Sequence, residues 1–183
     1  MRLYLVRHAK PLVAPGVCYG RSDVPVDPAE QTRIAAILRA QLPAGVALFS
    51  SPLKRCAGLA AELHATLACG PVVLDQRLAE IDFGSWEMRT WQAIGKADID
   101  AWAADTVYYQ PGGGESVLHM AERIAQFYEA LLAAETSAAI VICHAGAIRL
   151  LREKARDLST LAMARAAAAI PHQIGYGELI VLP

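Results

Sequence analysis

Two short apolar runs that end in polar residues constrain the fold of this chain more than any other feature. Leu3–Val6 is followed directly by Arg7 and His8, and Ala139–Cys143 is followed directly by His144. Continuous apolar runs of this length are typical of strands that are buried on both faces of a parallel sheet. Open α/β sheets place their ligand sites at the carboxyl ends of such strands, so we expect both histidines at that edge.

The remaining sequence alternates between strand and helix patterns. Asp27-Pro28 combines an N-cap with a proline at the first helical position, which predicts a helix to about Gln41. By the same signal, Ser51-Pro52 predicts a helix to about Leu67. Further strands are predicted at 46–49, 72–74, 139–143 and 174–182, and further helices at 94–105, from 115 or 116 to about 135, and from 146. Segments 79–91 and 158–169 show no clear period. The alternation predicts an α/β three-layer sandwich, with a mostly parallel central sheet and helices on both faces.

Composition limits the class of protein. A chain of 183 residues with 55% hydrophobic residues predicts one domain, 1–183, with an ample core. The formal net charge of −1 gives no bulk electrostatic reason to expect nucleic acid or an anionic membrane as a partner. The apolar stretches are too short for a transmembrane helix or a signal peptide. Four widely spaced cysteines without a C-x-x-C pair favour reduced thiols and a cytoplasmic location.

Five motifs stand at predicted element boundaries, and they are distributed along most of the chain. They are Leu5-Val-Arg-His8, Ser50-Ser-Pro-Leu-Lys-Arg55, Leu78-Ala-Glu-Ile-Asp-Phe-Gly84, Gly114-Glu-Ser116 and Ile142-Cys-His-Ala-Gly146. In this order they resemble the histidine phosphatase superfamily, also called the phosphoglycerate mutase-like superfamily. The pieces 18–23 and 80–87 are most similar to the branch that contains α-ribazole phosphatases.

The resemblance implies a role for each polar residue of these motifs. His8 is the expected nucleophile, which becomes a phosphohistidine during turnover. Cations at Arg7 and Arg55 disfavour imidazolium and thereby keep His8 neutral near pH 7. The same two guanidinium groups offer forked donors that match a phosphoryl group. His144 is expected to donate to the phosphoryl group and to complete the pocket.

A carboxylic acid is needed to protonate the leaving group, and as a carboxylate it can then activate water. The resemblance points to Glu80 through its spacing to Gly84. Asp82 is the second candidate, because it shares a face with Glu80 in an extended segment, and Glu115 is the third. Glu87 is assigned instead to a structural turn.

The chain departs from the family pattern in two places. Ala9 replaces the usual glycine after the nucleophile, and we expect its methyl group to narrow the pocket floor. The loop at 12–16 lacks the asparagine that binds phosphate in many relatives. Arg21 or Ser22 is expected to supply the missing donor.

The resulting hypothesis is a phosphomonoesterase that acts through phosphohistidine without a metal or another cofactor. The expected substrate is a small phosphorylated metabolite, with α-ribazole 5′-phosphate as the leading candidate. A phosphoglycerate mutase, a protein phosphohistidine phosphatase and a non-catalytic phosphate-binding module remain alternatives.

Other residues are expected to have structural roles. His64, His119 and His172 have no metal-ligand spacing, so we expect them to be surface or capping residues. Trp91 and Trp102 form either the apolar face of a helix or the mouth of the substrate groove.

Overall fold

The computed structural model describes residues 1–169, 171 and 173–183, so His172 lies outside the described residues. Strands and helices alternate through most of it. The strands are β1 (Arg2–Arg7), β2 (Ala47–Ser50), β3 (Val72–Leu74), β4 (Ala138–Cys143) and β5 (Leu179–Leu182). The helices are α1 (Pro28–Arg39), α2 (Lys54–Leu67), α3 (Lys96–Ala104), α4 (Val117–Ala133), α5 (Ala145–Lys154) and α6 (Thr160–Ala169). No helix of the described residues is long and apolar enough to cross a membrane.

The five strands form one sheet in the order β3-β2-β4-β1-β5. Neighbouring strands are parallel except β5, which runs antiparallel to β1. The register places Arg7 of β1 beside Cys143 of β4, and the amide of His8 donates to the carbonyl of Cys143 at 3.1 Å. His8 and His144 therefore leave the same edge of the sheet side by side.

Helices cover both faces of this sheet, as the alternating pattern predicts. In β4, Ala139, Val141 and Cys143 pack on the layer of α4, α5 and α6, whereas Ile140 and Ile142 pack on the layer of α1 and α2. Because successive side chains of a strand point to opposite faces, an uninterrupted apolar run is what a doubly covered strand requires. The predicted three-layer α/β fold is confirmed.

The second helix starts two residues later than predicted, at Lys54 instead of Pro52. Instead of capping a helix, Ser51 extends the sheet ladder, because its amide donates to the carbonyl of Ile142 at 2.9 Å. Its hydroxyl lies 2.8 Å from Nε2 of His144. The helix begins at Lys54, after an extended Leu53 that has no side-chain cap. The Ser51-Pro52 pair has the pattern of a helix start, but Ser51 instead contacts His144 at the edge of the sheet.

The last strand is shorter than predicted, because a turn occupies the first half of the predicted segment. Gly177 has a φ of +71°, and the amide of Glu178 donates to the carbonyl of Gly175 at 3.2 Å. The amide of Gly177 also lies 3.1 Å from the carbonyl of Arg7 and 3.2 Å from that of His8. This turn brings Tyr176 to the edge of the sheet that carries His8.

The two segments without a clear period differ in structure. Residues 158–169 contain α6, whose buried Met163 and Ala164 pack on the same cluster as α4 and α5. Residues 79–91 contain a 3-10 turn, Gly84–Trp86, and otherwise irregular backbone. Trp86 and Cys18 form a small separate core with Ile94. This core lies beside the sheet edge and supports one wall of the cavity described next.

Candidate active site

A cavity of about 550 Å³ opens at the edge where β1 and β4 end. Its lining has a charged part and an aromatic part. The charged and polar side chains are those of Arg7, His8, Arg55, Glu80 and Arg149. The aromatic ones are those of Tyr19, Phe83, Trp91, Trp102 and Tyr176. The structure therefore brings Arg7, His8, Arg55 and Glu80 together in one cavity, as the motifs predict.

The hydrogen bonding of His8 defines its reactive atom. Nδ1 lies 2.7 Å from the carbonyl oxygen of Ala9. Because a carbonyl can only accept, Nδ1 carries the hydrogen and Nε2 of the neutral ring keeps its lone pair. Burial and the positive charges of Arg55 and Arg7 lower the pKa of His8 to about 3, although the bond to Ala9 acts in the opposite direction. His8 is thus a neutral imidazole with one free basic nitrogen.

Arg55 is fully buried, and hydrogen bonds fix its orientation. Nη1 donates to the carbonyl of Ser22 at 2.7 Å and Nη2 to that of Gly20 at 2.5 Å. Nε donates to Nδ1 of His144 at 3.3 Å. These three acceptors are uncharged, so they orient the guanidinium group without neutralising it. Its charge remains to act on an anion in the cavity.

Arg7 is held from two sides. Nη1 donates to the carbonyl of Ile174 at 2.5 Å, and the guanidinium carbon lies 3.8 Å from the centre of the Tyr176 ring. Nε is buried and finds no acceptor among the described residues. A buried guanidinium N–H normally has a partner, so this unpaired donor is unusual.

His144 lies deeper than expected. Its ring centre is 5.0 Å from that of His8, but the side chain is fully buried and does not line the cavity. Since Nδ1 accepts from Arg55, the hydrogen of the neutral ring lies on Nε2 and points to the hydroxyl of Ser51. Burial, with His8 and Arg55 nearby, lowers its pKa well below the ordinary value. Donation from His144 to a phosphoryl group therefore stays a prediction that requires this hydrogen to leave Ser51.

The three candidate acids occupy different surroundings. Only Glu80 lines the cavity, and its Oε2 accepts from the amide of Gly146 at 3.1 Å. Asp82 accepts from the amide of Gly84 at 2.8 Å and lies 3.8 Å from Arg21. Glu115 binds Arg123 at 2.7 Å. Geometry favours Glu80 as the acid, because the other two carboxylates are engaged outside the cavity.

Neither Arg21 nor Ser22 lines the cavity. The Ser22 hydroxyl donates to Glu87 at 2.5 Å, and the Arg21 side chain is 54% exposed beside Asp82. Their loop contributes backbone carbonyls instead, since those of Gly20 and Ser22 hold Arg55. A direct phosphate contact from either side chain stays a prediction.

The carboxylate of Glu87 holds the loop at residues 20–22 in place, a role that could not be read from the sequence. Its carboxylate accepts from the amides of Gly20 (3.0 Å), Arg21 (2.9 Å), Ser22 (3.2 Å) and Phe83 (3.0 Å). Burial raises the pKa of Glu87, but the hydrogen bonds, that of the Ser22 hydroxyl first, outweigh it and lower the pKa below its ordinary value. A charged Glu87 thus holds the carbonyls that orient the buried arginine.

The expectation for Ala9 is wrong. Its methyl group is buried in the core with Val6 and Ile142 and does not line the cavity, so it does not narrow the pocket floor.

Two tyrosines of the cavity were not selected from the sequence. The hydroxyls of Tyr19 and Tyr176 are hydrogen-bonded at 2.8 Å, and their rings lie beside the guanidinium groups of Arg55 and Arg7. Tyr19 lies inside the motif at 18–23, and this motif could have marked it as a candidate site residue.

Arg149 also lines the cavity, one helical turn after Ala145 in α5. Burial lowers its pKa, and the charge of Glu80 acts in the opposite direction.

No group of three or more histidine, cysteine, aspartate or glutamate side chains in the described part of the chain could hold a metal ion.

The depressed histidine pKa values predict an acid-sensitive fold. Burial holds the pKa of His8 at about 3 in the folded protein, against 6.5 for an unperturbed histidine, so between these pH values the unfolded chain binds more protons. The free energy of unfolding should fall as the pH drops below 6.5, by up to about 1.4 kcal/mol per pH unit for each buried histidine. Urea denaturation from pH 4.5 to 7.5 measures this slope.

His8→Asn should flatten the dependence, whereas replacing the exposed His64 by Gln should not. An unchanged slope in His8→Asn would contradict the assigned shift.

Comparison with known proteins agrees with this geometry. The family model of the histidine phosphatase superfamily (branch 1) matches residues 3–171. A Mycobacterium tuberculosis protein named bifunctional protein Rv2228c is 30% identical over 163 residues, which are 85% of this chain and 44% of that protein. The chain thus spans less than half the length of this relative.

Solved structures share the fold. A mycobacterial glucosyl-3-phosphoglycerate phosphatase in complex with VO3 is 25% identical, with a TM-score of 0.81 over 100% of this chain and 92% of that one. The α-ribazole phosphatase from Shigella flexneri is 23% identical, with a TM-score of 0.83 over 99% and 89%. Since the family model covers nearly all of the chain, the protein belongs to the histidine phosphatase superfamily and is a phosphomonoesterase.

Proposed function

We propose that the protein hydrolyses a small phosphomonoester through a phosphohistidine formed on His8. The observation that carries this proposal is the neutral imidazole in the cavity, with Nδ1 hydrogen-bonded to Ala9 and Nε2 left basic. A histidine can attack phosphorus only through an unprotonated nitrogen. Arg7 and Arg55, whose charges act on this ring, also face the anion that it would attack.

The first step forms one bond and breaks another. Nε2 of His8 donates its lone pair to phosphorus, and the ester P–O bond breaks with its electrons on the leaving oxygen. Glu80 in its acid form gives that oxygen a proton. The hydrogen bond from Nδ1 to Ala9 stabilises the positive charge that develops on the ring, while Arg7 and Arg55 stabilise the phosphoryl oxygens.

The second step reverses the roles. Glu80, now a carboxylate, takes a proton from a water molecule while the water oxygen attacks phosphorus. The P–N bond breaks, the lone pair returns to Nε2, and phosphate is released. One carboxyl group serves both steps because each leaves it in the form that the next one needs.

The aromatic residues that line the cavity indicate the chemical class of the leaving group. The rings of Trp91 and Trp102 are stacked, with centres 5.9 Å apart and an interplanar angle of 4°, and Phe83 packs edge-on against both at 6.0 Å. Flat apolar side chains of this kind suit an aromatic ring in the leaving group.

We therefore propose α-ribazole 5′-phosphate as the leading substrate, because its base is a benzimidazole of this kind. The motif resemblance supports the same choice. The experiment compares kcat/KM for α-ribazole 5′-phosphate with that for ribose 5-phosphate, which has the same ester but no base. Base–aromatic stacking contributes roughly 1–3 kcal/mol, so the expected preference is about 5- to 150-fold.

Trp91→Ala should remove most of that preference and leave ribose 5-phosphate hydrolysis unchanged. Tyr108→Ala is the matched control, because Tyr108 is an exposed aromatic residue that does not line the cavity. Equal rates for the two substrates would reject the aromatic leaving group while leaving the His8 mechanism in place.

A further inference from the structure

One arginine outside the cavity holds the segment that carries the proposed acid. Arg123 of α4 donates through Nη1 to the carbonyls of Arg77 and Ala79, both at 2.6 Å, and through Nη2 to that of Glu80 at 3.3 Å. Its Nε and Nη2 also bind the two carboxylate oxygens of Glu115 at 2.7 and 2.8 Å. All three guanidinium nitrogens are therefore engaged.

The amides of this segment bond within the preceding turn, since those of Leu78 and Ala79 donate to the carbonyls of Asp75 and Gln76 at 3.1 Å, and its carbonyls bond to Arg123. It follows a 3-10 turn, Gln76–Leu78, and belongs to neither a helix nor a strand at Glu80. Three of its four carbonyls from 77 to 80 converge on Arg123, and each is a strong acceptor that needs a partner when buried. Arg123 thus holds the carbonyl side of the chain that leads into Glu80.

Glu115 completes the clamp from the other side. Its carboxylate pairs with Arg123, with both side chains less than one fifth exposed. Its amide donates to the carbonyl of Asp82 at 2.8 Å, so the same residue ties down the chain just after Glu80. Arg123 and Glu115 together fix the backbone on both sides of the acid.

We propose that Arg123 is a positioning residue for Glu80, acting through the backbone of residues 77–80. This inference rests on the proposed function, in which Glu80 is the general acid. Proton transfer requires the two heavy atoms to lie within hydrogen-bond reach, about 2.6–3.2 Å apart. A misplacement of about 1 Å can lower a rate by about a hundredfold. Holding Glu80 through its backbone therefore affects the protonation of the leaving group more than it affects phosphate binding.

Arg123→Lys tests the clamp, because lysine keeps the charge but cannot reproduce a planar fork of donors. We expect kcat/KM for an alkyl phosphate to fall by about 10- to 100-fold, and that for p-nitrophenyl phosphate by less than about threefold. The difference arises because p-nitrophenolate leaves without a proton.

Arg77→Lys is the matched control. Arg77 also joins this turn to α4, since it binds Asp75 at 2.6 Å and the carbonyl of Gln126 at 3.1 Å, but its side chain does not bond to the backbone at 79 or 80. It should lower the melting temperature without changing the dependence on the leaving group.

A double-mutant comparison separates the two proposals. In a Glu80→Gln background, Arg123→Lys should cost the alkyl phosphate nothing further, because the acid that it positions is already absent. Additive losses, or equal losses for both substrates in the single variant, would overturn the positioning role. Should Arg123→Lys fail to fold, Glu115→Gln weakens the same clamp and must show the same substrate dependence. If Glu80→Gln itself shows no such dependence, the failure lies in the assigned acid and not in the clamp.

Discussion

His8→Ala should abolish hydrolysis of p-nitrophenyl phosphate, with a loss on the order of a millionfold, the scale seen when a covalent nucleophile is removed. No other basic nitrogen is equally placed in the described cavity, since the ring of His144 is fully buried and directed to Ser51. The alanine variant should remain folded, because the backbone of this residue keeps its hydrogen bonds to Cys143 and Gly177. Near-ultraviolet circular dichroism checks the fold, and initial rates check the loss.

His64→Ala provides the control, because it removes an exposed histidine from α2. Rapid acid-free quenching of the wild-type protein with labelled substrate should trap a phosphate that is stable in base and labile in acid, as phosphohistidine is. Turnover close to wild type in His8→Ala, or a trapped phosphate on another residue, would reject the mechanism.

Glu80→Gln should lower turnover of an alkyl phosphate by about two to four orders of magnitude, the usual span of general acid catalysis. The side chain lines the cavity and glutamine keeps its volume, so binding of the phosphoryl group should change little. The loss should be clearly smaller for p-nitrophenyl phosphate, whose leaving group is already stable. Because water still needs a base, phosphoenzyme should accumulate in this variant.

Asp82→Asn is the control for that measurement, since Asp82 lies two residues away and is engaged with Gly84 and Arg21. It should show neither the leaving-group dependence nor the accumulation of phosphoenzyme. The reverse outcome would overturn the assignment of Glu80 and place the acid at Asp82, two residues away.

Residues at strand ends were predictable from the sequence because the backbone determines their place. An apolar run that is buried on both faces has to be a central strand, and parallel neighbours end at one edge. Arg7, His8 and His144 could therefore be brought together without any knowledge of the loops. The pairing of Arg7 with Cys143 in the sheet is the physical basis of that inference.

Residues that act through loop backbone could not be predicted in the same way. Residues 20–22 contribute two backbone carbonyls that accept hydrogen bonds from Arg55. No side-chain pattern in a sequence reveals which carbonyls point inward. Glu87 binds amides that are 65 to 67 residues away in the sequence. Side-chain chemistry alone made Arg21 and Ser22 look like phosphate ligands, whereas the structure shows a loop held in shape by one carboxylate.

The sheet order also bears on how the protein is made. β1, which carries Arg7 and His8 at its end, is flanked by β4 and β5, so its first partner is Ala138–Cys143. During synthesis β1 has to wait for this partner until more than 130 later residues have left the ribosome. A bare apolar edge of this kind is prone to association with other chains and to capture by chaperones. Catalytic competence is therefore among the last properties that a nascent chain acquires.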